Sequence, residues 1–271
     1  MKILITGGTG FIGSNLIKFY KRDHTVIEYS RGDHLPTLLE RHKPALVINS
    51  AAEIYNKDVM LESNVVLTNT ILEWIKNNPS TTMIQLGSGS ELGDVPRKTT
   101  EKDPIQVHDM YSATKGMATL LCQGYAKSYN LDVVIIRPYS PFGPGEKPHR
   151  LFPKLWQSFK LNKPMDLVMG VHDFCYIDDF VEGLDAVVKS DKRTPGEIIN
   201  ISNGVQIENS EVFNLFRTIT GKEGNVTLKN VFSTWSHWHA DTTVINTKYN
   251  WKPKYNIEQG ITKFLEEATY E

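Results

Sequence analysis

Cysteine is scarce in this chain. Only Cys122 and Cys175 occur in 271 residues, which leaves no disulfide framework and no recognisable thiolate metal spacing. Excess charge of one sign is missing too: 30 Lys and Arg face 31 Asp and Glu, for a net charge of −1. No global positive field therefore points to nucleic acid or to an anionic membrane. No apolar run approaches the roughly 18 residues of a membrane span. Internal repeats and low-complexity tracts are absent, and the chain enters its first strand with no signal or transit pattern. The expectation is a cytoplasmic enzyme or binding protein for small molecules, with neither nucleic acid nor membrane among its partners.

What is present is ordinary globular composition, 40% hydrophobic and 23% charged. The length allows one large domain or two unequal ones. Strand and helix patterns alternate from the start, which predicts a parallel sheet covered on both faces. Strands are expected at 3–5, 25–29, 45–49, 82–86 and 131–136, with helices at 16–20, 35–42, 59–76 and 111–129 between them. Only a short connection separates the second strand from the third, so this version of the fold is compact. Pro138, Pro141, Pro144, Pro148 and Pro153 then mark a crossover into a second region. That region is expected to hold a helix at 152–161, a strand at 166–169, a segment 174–188, a strand at 196–201, a helix after 209, a strand at 226–228 and a helix from 257. The predicted class is α/β, a Rossmann-type doubly wound parallel sheet with a smaller mixed α/β C-terminal substrate region. Residues 1–140, joined by about 174–195, are assigned to dinucleotide binding, and 141–173 with 196–271 to the substrate region.

The stretch Thr6-Gly7-Gly8-Thr9-Gly10-Phe11-Ile12-Gly13 lies between the first strand and the first helix. Strand, glycine turn and helix is the context of a dinucleotide loop. Gly7 allows the tight turn, Gly10 lets backbone approach a pyrophosphate, and Gly13 lets the helix pack closely on the sheet. The helix N-terminus offers unpaired N–H groups to the phosphates. The alternative is a plain strand-turn-helix corner.

Tyr111 and Lys115 stand four apart on one predicted helical face. A free phenol ionises near pH 10, too high for acid–base work near neutrality. A neighbouring ammonium and an oxidised nicotinamide would both favour the phenolate, and Lys115 can also anchor a ribose. Alone, this spacing fits a solvated helix pair. Its place one loop beyond a strand ending in hydroxyls gives it meaning. Ser88 ends that strand, in the crevice where such sheets bind ligands, and can fix a substrate carbonyl against the Tyr111 hydroxyl.

These motifs resemble the extended short-chain dehydrogenase/reductases, the NAD(P)-dependent epimerases, dehydratases and reductases of nucleotide sugars. The resemblance spans nearly the whole chain. It rests on the 6–13 loop, Asn49-Ser50-Ala51-Ala52, Asn64-Val65, Ser88 with Gly93 five residues on, and Tyr111 with Lys115. It continues through Arg137-Pro138, Phe142-Gly143-Pro144-Gly145, Asp173-Phe174-Cys175-Tyr176-Ile177-Asp178-Asp179 and Trp251-Lys252-Pro253. It implies Ser88, Tyr111 and Lys115 as the catalytic trio. For the cofactor it implies Gly7, Thr9, Gly10, Phe11, Ile12, Gly13, Ala51, Ala52 and Pro138 beside Tyr111 and Lys115. For a nucleotide-sugar substrate it implies Ser88, Gly89, Ser90, Tyr111, Ser140, Arg150 and His172. The family's helix pairing implies a homodimer through the 59–76 and 111–129 helices, although burial against the sheet explains their pattern equally well.

Departures from the family pattern narrow the expectation. Ser30 and Arg31 stand where NAD-holding members carry an acid, which suits the 2′-phosphate of NADP, with NAD as the alternative. Gly89 and Ser90 replace the Asp and Glu with which the dehydratases eliminate water. Ser90 also replaces the Cys of reductases that epimerise beside the keto group, and His149 falls one residue from their His. Ser140 replaces a phosphate-touching Asn, and His172 an Arg. Trp235, His237, Trp238 and His239 are read as lining or packing, with no metal. The leading expectation is NADPH-dependent reduction of a nucleotide 4-keto-6-deoxysugar. The alternatives are a nucleotide-sugar 4-epimerase with retained cofactor, a reductase of small carbonyls, and a catalytically silent NADP-sensing regulator.

Overall fold

The computed structural model describes residues 1–270, without the side chains of 233–236. Four short strands open the fold: β1 (Lys2–Thr6), β2 (Thr25–Tyr29), β3 (Leu46–Asn49) and β4 (Thr82–Leu86). Between them run α1 (Phe11–Tyr20), α2 (Leu35–His42), and α3 (Lys57–Leu61) followed by α4 (Leu67–Lys76). Helix α5 (Met110–Tyr129) leads to β5 (Val133–Pro138) and β6 (Ser140–Phe142). Next come α6 (Leu151–Leu161), β7 (Met165–His172), β8 (Phe174–Tyr176), α7 (Ile177–Lys189) and β9 (Glu197–Ile201). The chain continues through β10 (Ile207–Glu208), α8 (Asn209–Thr220), β11 (Val226–His237), α9 (Thr243–Lys248) and α10 (Ile257–Glu267).

The main sheet has the order β2-β1-β3-β4-β5-β9, and every pair is parallel. Its central strands β1, β3 and β5 carry buried apolar runs because both faces are covered, while the edge strand β2 is only partly buried. Ile3, Ile5, Ile48, Ile84, Val134 and Ile136 pack on one side with Leu16 and Ile17 of α1 and Phe180 and Leu184 of α7. Leu4, Val47, Met83, Val133 and Ile135 pack on the other with Leu39 of α2, Ile71 and Leu72 of α4, and Cys122 of α5. This is the doubly wound Rossmann-like arrangement expected from the alternation of elements.

Two details differ from expectation. The sixth strand, Glu197–Ile201, lies in the segment assigned to the substrate region, yet it pairs with β5 in the main sheet. Its Ile199 and Ile201 are fully buried there, so the substrate region in sequence begins inside the dinucleotide half in space. The predicted 59–76 helix starts at Lys57 and carries a π turn at Glu62–Val66. Asn64 in that turn donates to Glu53 O (3.0 Å) and Thr114 Oγ1 (2.9 Å) and accepts from Glu53 N (2.8 Å). Such turns cluster at functional sites; this one ties the loop after β3 to α5.

The second region contributes a three-stranded sheet, β10-β7-β11, and the pair β6-β8. Phe142 joins the two halves, stacked on Phe152 at 3.9 Å and edge-on to Tyr176 at 5.5 Å. Among the described residues no helix is long and apolar enough to cross a membrane.

Candidate active site

Strand order reverses around β1 and β3, so a crevice opens beyond their carboxyl ends. A buried polar network floors it: Asn49 Nδ2 donates to Thr68 Oγ1 (3.0 Å) and Gln85 Oε1 (2.8 Å), and Thr6 Oγ1 donates to Asn49 Oδ1 (2.5 Å). The glycine loop rises from β1. Gly7 takes φ of +70°, and a Cβ there would lie 2.7 Å from Ala51 N; a Cβ at Gly13 would lie 2.1 Å from Gly7 O. Gly10 caps α1 without a side-chain hydrogen bond, and the first turn, with Phe11 and Ile12, holds no acid. The leading N–H groups are therefore free to meet an anion. Thr9 is exposed at the loop tip, and Ala51 and Ala52 follow β3 across the crevice, Ala51 N donating to Thr6 Oγ1 (3.1 Å). Pro138 ends β5. Open backbone donors on a close-packed glycine cradle fit a dinucleotide.

Ser30 and Arg31 follow β2 and are exposed. Ser30 N donates to Asp33 Oδ2 at 2.9 Å, and the Arg31 guanidinium lies 3.3 Å from the Glu53 carboxylate. Glu53 also accepts the N–H groups of Tyr55, Asn56 and Ile54, and these bonds hold its carboxyl below its usual range. The position beyond β2 thus carries a base and an acid side by side.

The trio converges. Ser88 is extended at the end of β4 and caps the short 3-10 turn Gly89–Leu92. Its Oγ accepts from Ser90 Oγ at 2.8 Å and from Ser90 N at 3.2 Å. It also hydrogen-bonds the Tyr111 hydroxyl, which opposes the upward push of burial on that phenol. Lys115 is buried one helical turn on and donates to Leu86 O. Burial pushes its ammonium down to about 8, with the Glu91 carboxylate resisting. Asp109 starts α5 by accepting from Ser112 N (2.7 Å), which aims Tyr111 and Lys115 along one face.

The substrate side is looser. Gly89 lies beneath Trp238: a Cβ there would meet that ring at 3.1 Å and Tyr139 at 3.1 Å. A side chain at this position would therefore have to displace the indole. Ser140 is buried in β6, Arg150 caps α6 and pairs with Glu146 at 3.2 Å, and His172 ends β7 stacked on Phe174 at 5.1 Å. Among the described residues no hydrogen bond joins these three to the trio, but the Arg150 charge acts on both Tyr111 and His172. His149 bonds the Tyr55 hydroxyl at 2.5 Å. His237 meets Asp94 at 3.1 Å, and His239 meets Gly204 O at 3.2 Å. The Trp235 side chain lies outside the described residues.

Sequence reasoning missed Glu91 and Arg137 as site residues. Both are buried, 3.0 Å apart, directly behind Ser88. The available signal was a lone acid just after β4 and a lone base near the end of β5.

The model for the NAD dependent epimerase/dehydratase family matches residues 3–202. The low-salt glycan biosynthesis protein Agl12 of Haloferax volcanii is 25% identical over 96% of both chains. A UDP-glucuronate 4-epimerase of Thermodesulfobacterium geofontis is 27% identical over 92% of this chain and 79% of its own. Among solved structures, the dTDP-glucose 4,6-dehydratase of Bacillus anthracis in complex with NAD superposes with a TM-score of 0.88, at 24% identity, over 98% of this chain and 96% of its own. The UDP-glucuronic acid 4-epimerase of Bacillus cereus, in complex with UDP-glucuronic acid and NAD, gives 0.88 at 23% over 98% of both. With the glycine cradle, the converging trio and a family match over most of its length, this chain belongs to the NAD-dependent epimerase/dehydratase family.

Proposed function

We propose that this protein transfers hydride at C4 of a nucleotide sugar and inverts that centre, as a 4-epimerase with a retained dinucleotide. The observation that carries this reading is Gly89 under Trp238 beside a complete Ser88–Tyr111–Lys115 trio. The trio supports oxidation and reduction at an alcohol carbon. The acids that elimination needs are missing, and a side chain at Gly89 would have to displace the indole. Three of the relatives named above are epimerases or a dehydratase, and removing dehydration from that pair leaves epimerisation.

Bound in the cradle, the nicotinamide supplies a hydride acceptor at C4 and a donor on return. The chain supplies the proton chemistry. Tyr111 as phenolate takes the C4 hydroxyl proton while the C4–H bond breaks, and it returns that proton when the bond re-forms on the other face. Ser88 donates to the same oxygen and orients it. Lys115 favours the phenolate and anchors the ribose. Arg150 and His172 line the nucleotide side, and Ser140 faces the substrate phosphates.

Ser30-Arg31 favours a second reading, NADPH-dependent 4-keto reduction, in which the guanidinium leaves Glu53 for the 2′-phosphate. One experiment separates the two. The protein is purified, denatured, and the released ligands weighed by mass spectrometry; native protein is then incubated with UDP-glucose, UDP-glucuronate and dTDP-glucose. Released NAD and inversion without added cofactor support the epimerase. Empty protein, and consumption of NADPH only with a 4-keto sugar, support the reductase. Turnover of simple carbonyls alone would refute both.

The assembly proposed is a homodimer through α3–α4 and α5, because Leu61, Val66, Met117 and Leu120 are all 40% exposed or more on those helices. Light scattering checks it, and a monomer at micromolar concentration refutes it.

A further inference from the structure

Ser88 and Tyr111 stand on different elements, so their alignment depends on what fixes the end of β4 against α5. Glu91 does this from inside the protein. It is fully buried. Its Oε1 accepts the Ser88 N–H at 2.7 Å, and its Oε2 accepts Thr119 Oγ1 at 2.9 Å and Arg137 Nε at 3.0 Å. Burial pushes its carboxyl up, and the Arg137 and Lys115 charges with the Thr119 hydroxyl hold it down; three donors face it among the described residues, the pattern of an ionised carboxylate. Thr119 is one turn beyond Lys115, on the face that carries Tyr111, so one carboxylate touches the Ser88 backbone, the trio's helix and, through Arg137, strand β5. The local sequence is shaped around it: a Cβ at Gly87 would lie 2.7 Å from Glu91 Oε1.

We propose that Glu91, held by Arg137, is a positioning residue that clamps Ser88 to the Tyr111–Lys115 helix and sets the charge behind them. This rests on the reading of Ser88, Tyr111 and Lys115 as the reacting trio. The groups facing Tyr111 are Glu91 from the 3-10 turn, Asp109 at its own helix cap with His108 beside it, and Arg150 from the start of α6. Lys115 is faced by Glu91 and by Cys122 of its own helix. The Glu91 charge raises Tyr111 and Lys115 alike, so it opposes the phenolate while keeping the ammonium charged.

The test titrates Tyr111 without turnover. The near-ultraviolet absorbance of phenolate is followed against pH as the difference between each protein and its own Tyr111→Phe counterpart. Glu91→Gln removes a negative charge and leaves Arg137 positive, so the Tyr111 midpoint is expected to fall by about one pH unit. Glu91→Asp keeps the charge on a shorter arm that cannot hold all three donors. Its midpoint is expected to stay while kcat on a nucleotide sugar falls about tenfold and KM remains within about twofold. A midpoint in Glu91→Gln within about 0.2 unit of the parent overturns the proposal. Should Glu91→Gln not fold, parent-like kcat in Glu91→Asp overturns it. If the parent turns over no nucleotide sugar, the functional reading fails and the midpoint comparison still decides the role of Glu91.

Discussion

The two walls of the crevice are built differently. The dinucleotide wall grows from parallel strands whose centres, such as Ile3-Leu4-Ile5 and Val133 to Ile136, are wholly buried. The opposite wall, proposed for substrate, grows from two small sheets instead: β6 pairs with β8, and β7 with β11 through a register that shifts twice. Its edge strand leaves Leu228, Val231 and Phe232 more than half exposed. The first wall is packed on both faces of its central strands. The second places Trp238 against Gly89, where an added Cβ would meet the ring at 3.1 Å.

The sharpest way to break this comparison is to remove the chemistry from the first wall alone. Tyr111→Phe is expected to lower turnover of any accepted sugar by about 10²- to 10⁴-fold, with dinucleotide affinity within about twofold. Steady-state kinetics and cofactor titration by fluorescence check both halves. Retained turnover would remove the phenol from its role.

The next effect falls on the joint. Phe142 belongs to β6, yet it shares a core with Ile5 and Ile48 of the main sheet. Phe142→Ala should cost about 3–5 kcal/mol, read as a lower urea midpoint. One cooperative transition is expected for parent and variant, because the two walls share that core. Two transitions would make the walls independent domains.

A smaller effect concerns the adenosine end of the first wall. Arg31→Ala should weaken NADPH about tenfold, the loss of one charge-assisted phosphate contact, and leave NADH unchanged. Equal losses, or none, would assign Arg31 to Glu53 alone. The pairing at 3.3 Å is what makes this worth measuring.

The same contrast explains what the sequence could tell. The central strands of the main sheet were legible because burial on both faces writes an apolar run, as at Ile3-Leu4-Ile5 and Val133 to Ile136. The proximity of Ser88, Tyr111 and Lys115 was legible because they stand at ends and faces that secondary structure alone locates. The role of Glu197–Ile201 as the sixth strand was not, since an apolar run does not say which sheet it joins. The length of β11 was hidden too: only 226–228 reads as strand, while Lys229-Asn230 and the bulges beyond break the alternation. Glu91 and Arg137 were invisible as a pair because 46 residues separate them and only the β4–β5 pairing brings them together.

The smallest prediction tests how dry the substrate wall is. Burial, with the Arg150 charge beside it, pushes the His172 imidazole down to about 4, and Asp94 offsets this only in part. The ordinary value is 6.5. Between these values the unfolded chain binds a proton that the folded protein excludes, so stability rises with pH across that window and is lost as pH falls through it. His172→Gln removes the titration and keeps a polar side chain. Urea midpoints of parent and variant at pH 7 and near pH 4.5 are the measurement. The parent should lose more stability than the variant on acidification, by on the order of 1 kcal/mol. Equal losses would mean that water reaches His172 freely despite its half-buried place against Phe174.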